Sequence, residues 1–148
     1  MMIADAAYLA GLIDGEGSVS VNRTRTGKSA KSCRRGFAYR SSLTITMTDM
    51  AVLKWAQKTT GVGAICKKKT ARAKHKPAWA WAVWSVEAAD LLRELRPYLK
   101  VKRKQADNLI TFQSKMRRPG SNGLTDHEWE FREECRVKSL QLNKRGVS

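Results

Sequence analysis

A short apolar segment that ends in an acid between two glycines constrains this chain more than any other feature. Residues 5–14 carry Leu9, Leu12 and Ile13 at the spacing of one helix face, and Glu16 follows with a glycine on each side. The pattern then changes to alternating polar and apolar side chains, which is typical of a strand with one face in water. A helix therefore passes directly into a strand, and glycine permits the sharp turn between them.

The rest of the chain alternates between strands and helices. Further strands are predicted at residues 40–48, 65–69 and 79–84. Further helices are predicted from Thr48 or Asp49 to about Thr59, where Gly61 stops the helix, from a cap at Ser85 to before Pro97, at residues 101–116, and from a Thr125-x-x-Glu128 capping box onward. Strand pairs joined by short turns form antiparallel sheets. The order α-β-β-α-β-β-α-α-α thus predicts an α+β fold with helices packed on one face of the sheet.

The net charge of the chain indicates which class of partner it binds. Among 148 residues, 29 lysines and arginines face 13 acidic residues, which gives a net charge of +16 at neutral pH. This imbalance costs stability through self-repulsion, so it favours a polyanionic partner, nucleic acid before an acidic membrane surface. No apolar run approaches the length of a membrane span, and residues 1–11 lack the features of a signal peptide. We expect a single intracellular domain over residues 1–148, with its three cysteines reduced.

The segment from Leu9 to Gly17 resembles the signature of the LAGLIDADG homing endonucleases. It reads LAGLIDGEG and shares seven of the nine letters of that signature; Gly15 replaces an alanine and Glu16 replaces the second acid. Leu43-Thr44, Trp55 and residues 61–63 and 96–106 extend the resemblance to the single-motif, homodimeric branch of the family, over about residues 8–145.

The resemblance implies a fold, a reaction and a set of partners. The fold is αββαββα, with an antiparallel sheet that forms a DNA-binding saddle and helices on the opposite face. The activity is hydrolysis of both strands of a long, pseudo-palindromic double-stranded DNA site, with Mg²⁺ as the cofactor and one sheet of the homodimer in each half-site. A two-fold protein predicts a two-fold target.

Four positions carry the chemistry that the resemblance implies. Glu16 is the metal ligand and Gly15 a carbonyl donor, a hard oxygen set that suits Mg²⁺. Asp49 falls at a position that organises water, and Lys102 at a catalytic lysine that can polarise a phosphate. The residues alone also allow plainer roles, namely a solvated acid for Glu16, a helix N-cap for Asp49 and a phosphate-steering charge for Lys102.

The first helix also has a candidate dimer face. Ala7 and Gly11 lie one turn apart and are small enough for two helices to approach closely, which suits a two-fold partner helix. The alternative is that they pack against the chain's own core. The resemblance favours the dimer and adds Leu12 and Asp14 to the predicted interface; Asp14 is further expected to orient the end of the helix.

A two-stranded ribbon fits the major groove of DNA, where each base pair presents its own pattern of donors and acceptors. The alternative for the polar strand faces is simple solvation. The predicted DNA contacts are Ser18, Ser20, Asn22, Thr24 and Thr26 on the first strand, Arg40, Ser42, Thr44 and Thr46 on the second, Arg23, Arg25, Lys28, Arg34 and Arg35 around their turn, Cys66, Lys67, Lys68 and Lys69 at the outer edge, and Lys144 and Arg145 in the C-terminal tail. The alternative for the tail is a frayed basic terminus.

The tryptophans of the predicted strand at 79–84 divide between its faces. Trp79 and Trp81 share one face, and Trp84 lies on the other. The burial that indoles prefer favours the core for the first pair, whereas the resemblance directs Trp79 and Trp81 toward DNA. Both interpretations stay open.

Two other functions compete with DNA cleavage. The same fold could bind without cutting, as an intron RNA maturase, with RNA as its partner, or as a DNA regulator. A general basic nucleic-acid protein would show little sequence preference. The acid at Glu16 and the lysine at Lys102 favour cleavage.

Overall fold

A computed structural model describes residues 1–26, 36–69, 76–118 and 122–144 of the chain. The helices are α1 (Ile3–Glu16), α2 (Met50–Thr60), α3 (Ser85–Leu95), α4 (Arg103–Ser114) and α5 (Asp126–Leu142), with a 3₁₀ turn at Arg96–Tyr98. The strands are β1 (Gly17–Arg25), β2 (Phe37–Met47), β3 (Ala64–Lys67) and β4 (Trp79–Trp84). The order αββαββα, followed by two more helices, confirms the predicted α+β fold.

The four strands form one antiparallel sheet in the order β1-β2-β4-β3. Gly17 at the start of β1 pairs with Ile45 near the end of β2, and Arg25 pairs with Phe37 at the opposite end. We call the first of these the near end of the β1–β2 ribbon and the second its far end. The near end adjoins α1, because that helix runs into β1 without a linker.

Alternation along the strands separates an apolar face from a polar one. Val19, Leu43 and Ile45 point toward the helices and are fully buried. The other face, which we call the open face, carries the side chains of every second residue. It comprises Ser18, Ser20, Asn22, Thr24, Ala38, Arg40, Ser42, Thr44, Thr46, Ala64, Cys66, Ala80, Ala82 and Trp84. This division is the one that the alternating sequence predicts.

Two apolar clusters fill the space between the sheet and the helices. The larger one joins α1, α3 and the sheet, with Leu9, Leu92 and Trp81 among its fully buried members. The smaller one lies under α4 and α5 and contains Phe112 and Trp129. The helices thus cover one face of the sheet and leave the open face without a covering layer from the described residues.

The helix boundaries test the predicted caps. Asp49 caps α2 by accepting the N–H of Ala51 at 3.0 Å, and Gly61 ends that helix with a φ of 71°. The capping box of Thr125 and Glu128 is present at the start of α5.

The predicted cap at Ser85 is wrong. Ser85 is itself the first helical residue of α3, with a φ of 55°, and no side-chain cap bond is present at this helix end. The physical reason is that β4 passes into α3 without an intervening residue, so the position of the cap is occupied by Trp84, the last residue of the strand.

Candidate active site and nucleic-acid interface

Glu16 lies exposed at the C-terminal end of α1, directly before the sheet. The helix closes with a hydrogen bond from the N–H of Gly17 to the carbonyl of Ile13. A Cβ at Gly17 would lie 2.7 Å from that carbonyl oxygen, so this close approach requires glycine. A Cβ at Gly15 would meet nothing within 4 Å. The site therefore presents an exposed carboxylate beside open space.

Asp14 fixes the segment that leads into α4 against the end of α1. Its two carboxylate oxygens accept the backbone N–H groups of Lys100 at 2.8 Å and Lys102 at 2.9 Å. Burial raises the pKa of Asp14, but these backbone hydrogen bonds and the charge of Lys102 outweigh that effect, so its pKa lies below the usual value. This placement agrees with the expectation that Asp14 orients the end of the helix.

Lys102 reaches the same helix end. Its ammonium donates to the backbone carbonyl of Asp14 at 2.7 Å, and this carbonyl belongs to the last turn of α1. Carbonyls of a last helical turn lack partners within the helix and carry partial negative charge, which cations stabilise. An ammonium has three donors, so two remain for another acceptor. The structure thus brings Lys102 to the helix end that bears Glu16.

Asp49 lies four residues beyond Ile45 in sequence, at the near end of the ribbon. Its side chain is exposed and serves as the N-cap of α2. The plainer role for Asp49 is therefore present in the structure, and a role in organising water stays a prediction.

The chemistry of this helix end suits a hard divalent cation. The Glu16 carboxylate and the Gly15 carbonyl are oxygen donors, and Mg²⁺ characteristically uses one or two carboxylates together with substrate phosphates and water. Within the described residues of one copy, no group of three or more His, Cys, Asp or Glu side chains could hold a metal. A complete ligand set would therefore need phosphates, waters or a second copy of the chain.

The outer face of α1 is apolar, and no other described element covers it. Ala7 and Gly11 are exposed, while Leu12 and Asp14 are half-buried. Ile3 is 73% exposed on the same helix. A Cβ at Gly11 would meet nothing within 4 Å, so a neighbouring helix could approach this face closely. An exposed apolar patch on a helix is a common contact surface for another protein chain. The dimer contact at this face stays a prediction.

Most of the predicted DNA contacts on the two long strands lie on the open face. A small hydrogen-bonded group stands near its centre, in which Asn22 donates to the hydroxyls of Ser20 at 2.9 Å and Ser42 at 3.3 Å. The predicted contacts on the open face are Ser18, Ser20, Asn22, Thr24, Arg40, Ser42, Thr44, Thr46 and Cys66. Whether they bind DNA stays a prediction.

Other predicted contacts lie around the sheet or beyond the described residues. Arg25, Lys67, Lys68, Lys69 and Lys144 are exposed, and Thr26 is half-buried. Lys28, Arg34, Arg35 and Arg145 lie outside the described residues, as does the part of the lysine-rich hairpin at 70–75.

Trp79 and Trp81 do not lie on the open face, where their DNA contacts were predicted. Trp81 is 0% exposed, and its indole N–H donates to the carbonyl of Val62 at 3.0 Å. Trp79 is half-buried and packs against the same core. The physical reason is that successive side chains of a strand point to opposite faces of the sheet. Trp79 and Trp81 therefore share the helix-covered face with Val83, and Ala80 and Ala82 lie on the other face. Trp84, of opposite parity, is the indole on the open face.

Arg23 also differs from its predicted position. It lies on the helix side of β1, with its guanidinium 3.6 Å from Glu133 of α5 and 4.8 Å from the ring centroid of Phe37. Glu133 also accepts the hydroxyl of Tyr39 at 2.5 Å and is paired with Arg136. Hydrogen bonding to Arg136 in particular lowers the pKa of Glu133 to about 2, against the opposing effect of burial.

No pattern in the sequence indicates how α5 holds the outer edge of β1. The N–H of Val21 donates to the hydroxyl of Ser139 at 3.0 Å, and the amide of Asn143 donates to the carbonyl of Val19 at 3.0 Å. These bonds satisfy backbone groups of an edge strand that would otherwise be open to pairing with another chain. Asn143 thus binds the chain's own sheet rather than standing free in a basic tail.

Several solved structures share this fold. The homing endonuclease I-CvuI, crystallised with the I-CreI target in 2 mM Mg, is 22% identical with a TM-score of 0.77 over 98% of this chain and 85% of that chain. The archaeal intron-encoded homing endonuclease I-Vdi141I, complexed with DNA, is 19% identical with a TM-score of 0.76 over 97% and 87%. The meganuclease I-SmaMI, bound to uncleaveable DNA, is 20% identical with a TM-score of 0.69; this chain covers 46% of it.

Sequence comparisons define the family. No curated protein sequence matches this chain closely enough to count as a relative. Among the helices of the described ranges, none has the length and hydropathy that crossing a bilayer requires. The family model described as LAGLIDADG endonuclease matches residues 9–114, from the motif on α1 to the end of α4. Because this match spans more than half of the sequence, the chain belongs to the LAGLIDADG endonuclease family.

Proposed function

We propose that this chain is a homodimeric homing endonuclease that hydrolyses both strands of a long, pseudo-palindromic DNA site with Mg²⁺. The observation that carries the proposal is the exposed carboxylate of Glu16, at the helix end where Lys102 binds the carbonyl of Asp14. This helix end adjoins a polar sheet face that no described element covers. A net charge of +16 supports a DNA partner, since phosphate neutralisation dominates the affinity of proteins for DNA.

The residues at the end of α1 divide the chemistry among them. Glu16 and the carbonyl of Gly15 would hold Mg²⁺, which supplies charge stabilisation at the phosphate and an activated water. Lys102 donates a hydrogen bond to a phosphate oxygen with a donor that Asp14 does not use. Its charge stabilises the negative charge that builds up during hydrolysis. Asp14 keeps Lys102 in place through its backbone N–H.

Two copies are needed to cut two strands. The apolar outer face of α1 is the proposed contact, with Ala7 and Gly11 at its centre and the half-buried Leu12 and Asp14 beside them. A two-fold axis along this helix brings the two Glu16 carboxylates near each other, one for each strand. The two open faces then extend outward along the DNA, and their serines, threonines and arginines contact base edges and phosphates.

A paired selection tests the proposal. The full chain is incubated with a randomised duplex library in Mg²⁺ and separately in Ca²⁺, and the cut and bound pools are sequenced. We expect a pseudo-palindromic consensus in both pools, with cutting in Mg²⁺ only. Glu16→Gln should bind the same consensus while its cleavage falls by about 100-fold or more, since a metal ligand is lost. Glu130→Gln, an exposed acid on α5, is the matched control and should cut normally.

The alternative outcomes separate the rival functions. A bound consensus without cutting by the unaltered protein would indicate a DNA regulator. Stimulation of intron splicing by RNA binding, again without DNA cutting, would indicate a maturase. A bound pool with no sequence preference would indicate a general nucleic-acid protein and would overturn the proposal.

A further inference from the structure

An arginine and a tryptophan are stacked on the open face. The guanidinium carbon of Arg40 lies 5.0 Å from the centroid of the Trp84 ring. In the sheet register Ser42 pairs with Trp84, so Arg40, two residues along β2, is the diagonal neighbour of Trp84. Diagonal neighbours on one sheet face are within reach of long and aromatic side chains. The two strands therefore set this pair by their register.

Trp84 is held in place by its backbone rather than by the core. It is the last residue of β4, and Ser85 turns the chain into α3 with a φ of 55°. The ring is half-buried, in contrast to the fully buried Trp81 on the other face. No described element covers this sheet face, so an indole on it contributes little to the core. A role toward a ligand explains the residue better.

The neighbour of Arg40 on the other side has complementary chemistry. Asn22 is its direct partner across β1 and β2. The Asn22 amide nitrogen donates to Ser20 and Ser42, which occupies its two N–H groups. The Asn22 carbonyl oxygen is left as an acceptor on the open face. A five-donor guanidinium thus stands beside an amide acceptor.

We propose that Trp84 positions Arg40 to read a guanine in the major groove, with Asn22 accepting from the amino group of the paired cytosine. The inference rests on the proposed function and adds to it one base pair of the target in each half-site. Guanine presents two acceptors to a bidentate arginine, and cytosine presents an amino donor. A flat aromatic surface under the guanidinium restricts its rotamers before binding, which strengthens a contact that depends on orientation.

A binding selection in Ca²⁺ tests the assignment without cleavage. The unaltered protein is compared with Arg40→Lys, Trp84→Phe, Trp84→Leu and Trp84→Gln, and Arg93→Lys on α3 is the matched control. We expect one symmetric pair of positions in the consensus to prefer guanine by roughly 5- to 150-fold. Arg40→Lys should remove most of that preference, because lysine cannot make the bidentate contact.

The tryptophan variants test the positioning role. Trp84→Leu and Trp84→Gln should each lower the guanine preference about two- to fivefold at that position only, the range expected for loss of an exposed cation–π contact. Trp84→Phe should retain most of it, and preferences elsewhere in the site should not change. Thermal unfolding of each variant identifies any that fold poorly. If Trp84→Leu folds poorly, the result from Trp84→Gln alone decides the positioning role.

Failure of this inference can be distinguished from failure of the proposed function. If the unaltered protein enriches a consensus and Arg40→Lys leaves every base preference unchanged, Arg40 reads no guanine. If Arg40→Lys removes the preference but neither Trp84→Leu nor Trp84→Gln changes it, the positioning role is rejected. If the unaltered protein enriches no sequence at all, the proposed function itself fails.

Discussion

The near end of the β1–β2 ribbon and the free edge of β1 are fixed by different means. At the near end, one carboxylate, Asp14, binds two backbone N–H groups of the segment before α4, and Lys102 closes the contact on a carbonyl of α1. Along the free edge of β1, Ser139 of α5 and its C-cap residue Asn143 bind backbone groups, and Glu133 of α5 pairs with Arg23. The first arrangement holds the proposed catalytic lysine at a helix end, and the second supports the proposed recognition surface from behind.

The two arrangements predict which substitutions should affect cleavage and which should affect folding or DNA binding. Damage at the near end should reduce cleavage and leave DNA binding largely intact. Damage to the support by α5 should weaken folding or binding and leave the rate of the chemical step on bound DNA unchanged.

The largest effect should come from Gly17→Ala at the near end. The added Cβ would lie 2.7 Å from the carbonyl oxygen and 2.8 Å from the Cα of Ile13, both backbone atoms that cannot move independently. We expect a loss of about 3 kcal/mol in the free energy of unfolding, at the upper end for an overpacked site. Urea unfolding measures it, with Gly15→Ala as the control because that position opens to free space. Equal stability of the two variants would contradict the structure at this junction.

Asp14→Asn should slow the chemical step without weakening DNA binding. Asparagine offers one acceptor in place of two and no charge, so about 2 kcal/mol of stability should be lost with a hydrogen bond to a charged group. We expect single-turnover cleavage to fall while affinity in Ca²⁺ stays within about twofold.

The effect of Asp14 should also depend on pH. Its pKa is lowered in the folded state, so its contribution is complete above the usual aspartate pKa and is lost as the pH falls through the lower folded value. The stability difference between Asp14→Asn and the unaltered protein should therefore shrink in acid. A difference that grows on acidification would contradict this sign.

Ser139→Ala tests the support of β1 by α5. It leaves the buried N–H of Val21 without its acceptor, which should cost about 1.5 kcal/mol in the free energy of unfolding. Ser114→Ala, an exposed serine on α4, should change stability by less than about 0.5 kcal/mol. The cleavage rate of Ser139→Ala on saturating target should match that of the unaltered protein. A slower chemical step would show that α5 acts on the near end as well.

The smallest effect should come from Glu133→Gln. Glu133 pairs with Arg136 and Arg23 at a partly exposed site, so we expect at most about 1 kcal/mol at neutral pH. Because its pKa is about 2 in the folded protein, this contribution is complete above about pH 4.5 and disappears as the pH falls toward 2. Chemical unfolding at a series of pH values checks this window. A stability difference that is the same at pH 2.5 and pH 7 would assign the effect to packing.

Local patterns in the sequence were sufficient for the fold and for the open face. Alternation placed Ser18, Ser20, Thr44 and Thr46 on one side of the sheet, because a strand has a period of two. The same rule separates Trp84 from Trp79 and Trp81 and would have placed Arg23 with the buried residues. The resemblance directed Trp79 and Trp81 toward DNA, and the buried position of Trp81 shows that parity was the better guide.

Contacts between distant parts of the chain were beyond local patterns. Ser139 and Val21 lie 118 residues apart, and Asn143 and Val19 lie 124 apart, so no periodicity connects them. The bonds depend on how α5 lies along the edge of β1, which tertiary packing decides. The Ser85 cap failed for a related reason, since serine favours caps in general but here β4 occupies the position before the helix.

The central claim is that two copies of Glu16, one from each subunit, each serve one DNA strand. The most direct measurement uses a mixed dimer, purified through two different affinity tags, with one unaltered copy and one Glu16→Gln copy. On a supercoiled plasmid that carries the selected site, we expect a nicked circle from the mixed dimer and a linear product from the unaltered dimer. A linear product from the mixed dimer at the unaltered rate would contradict the claim.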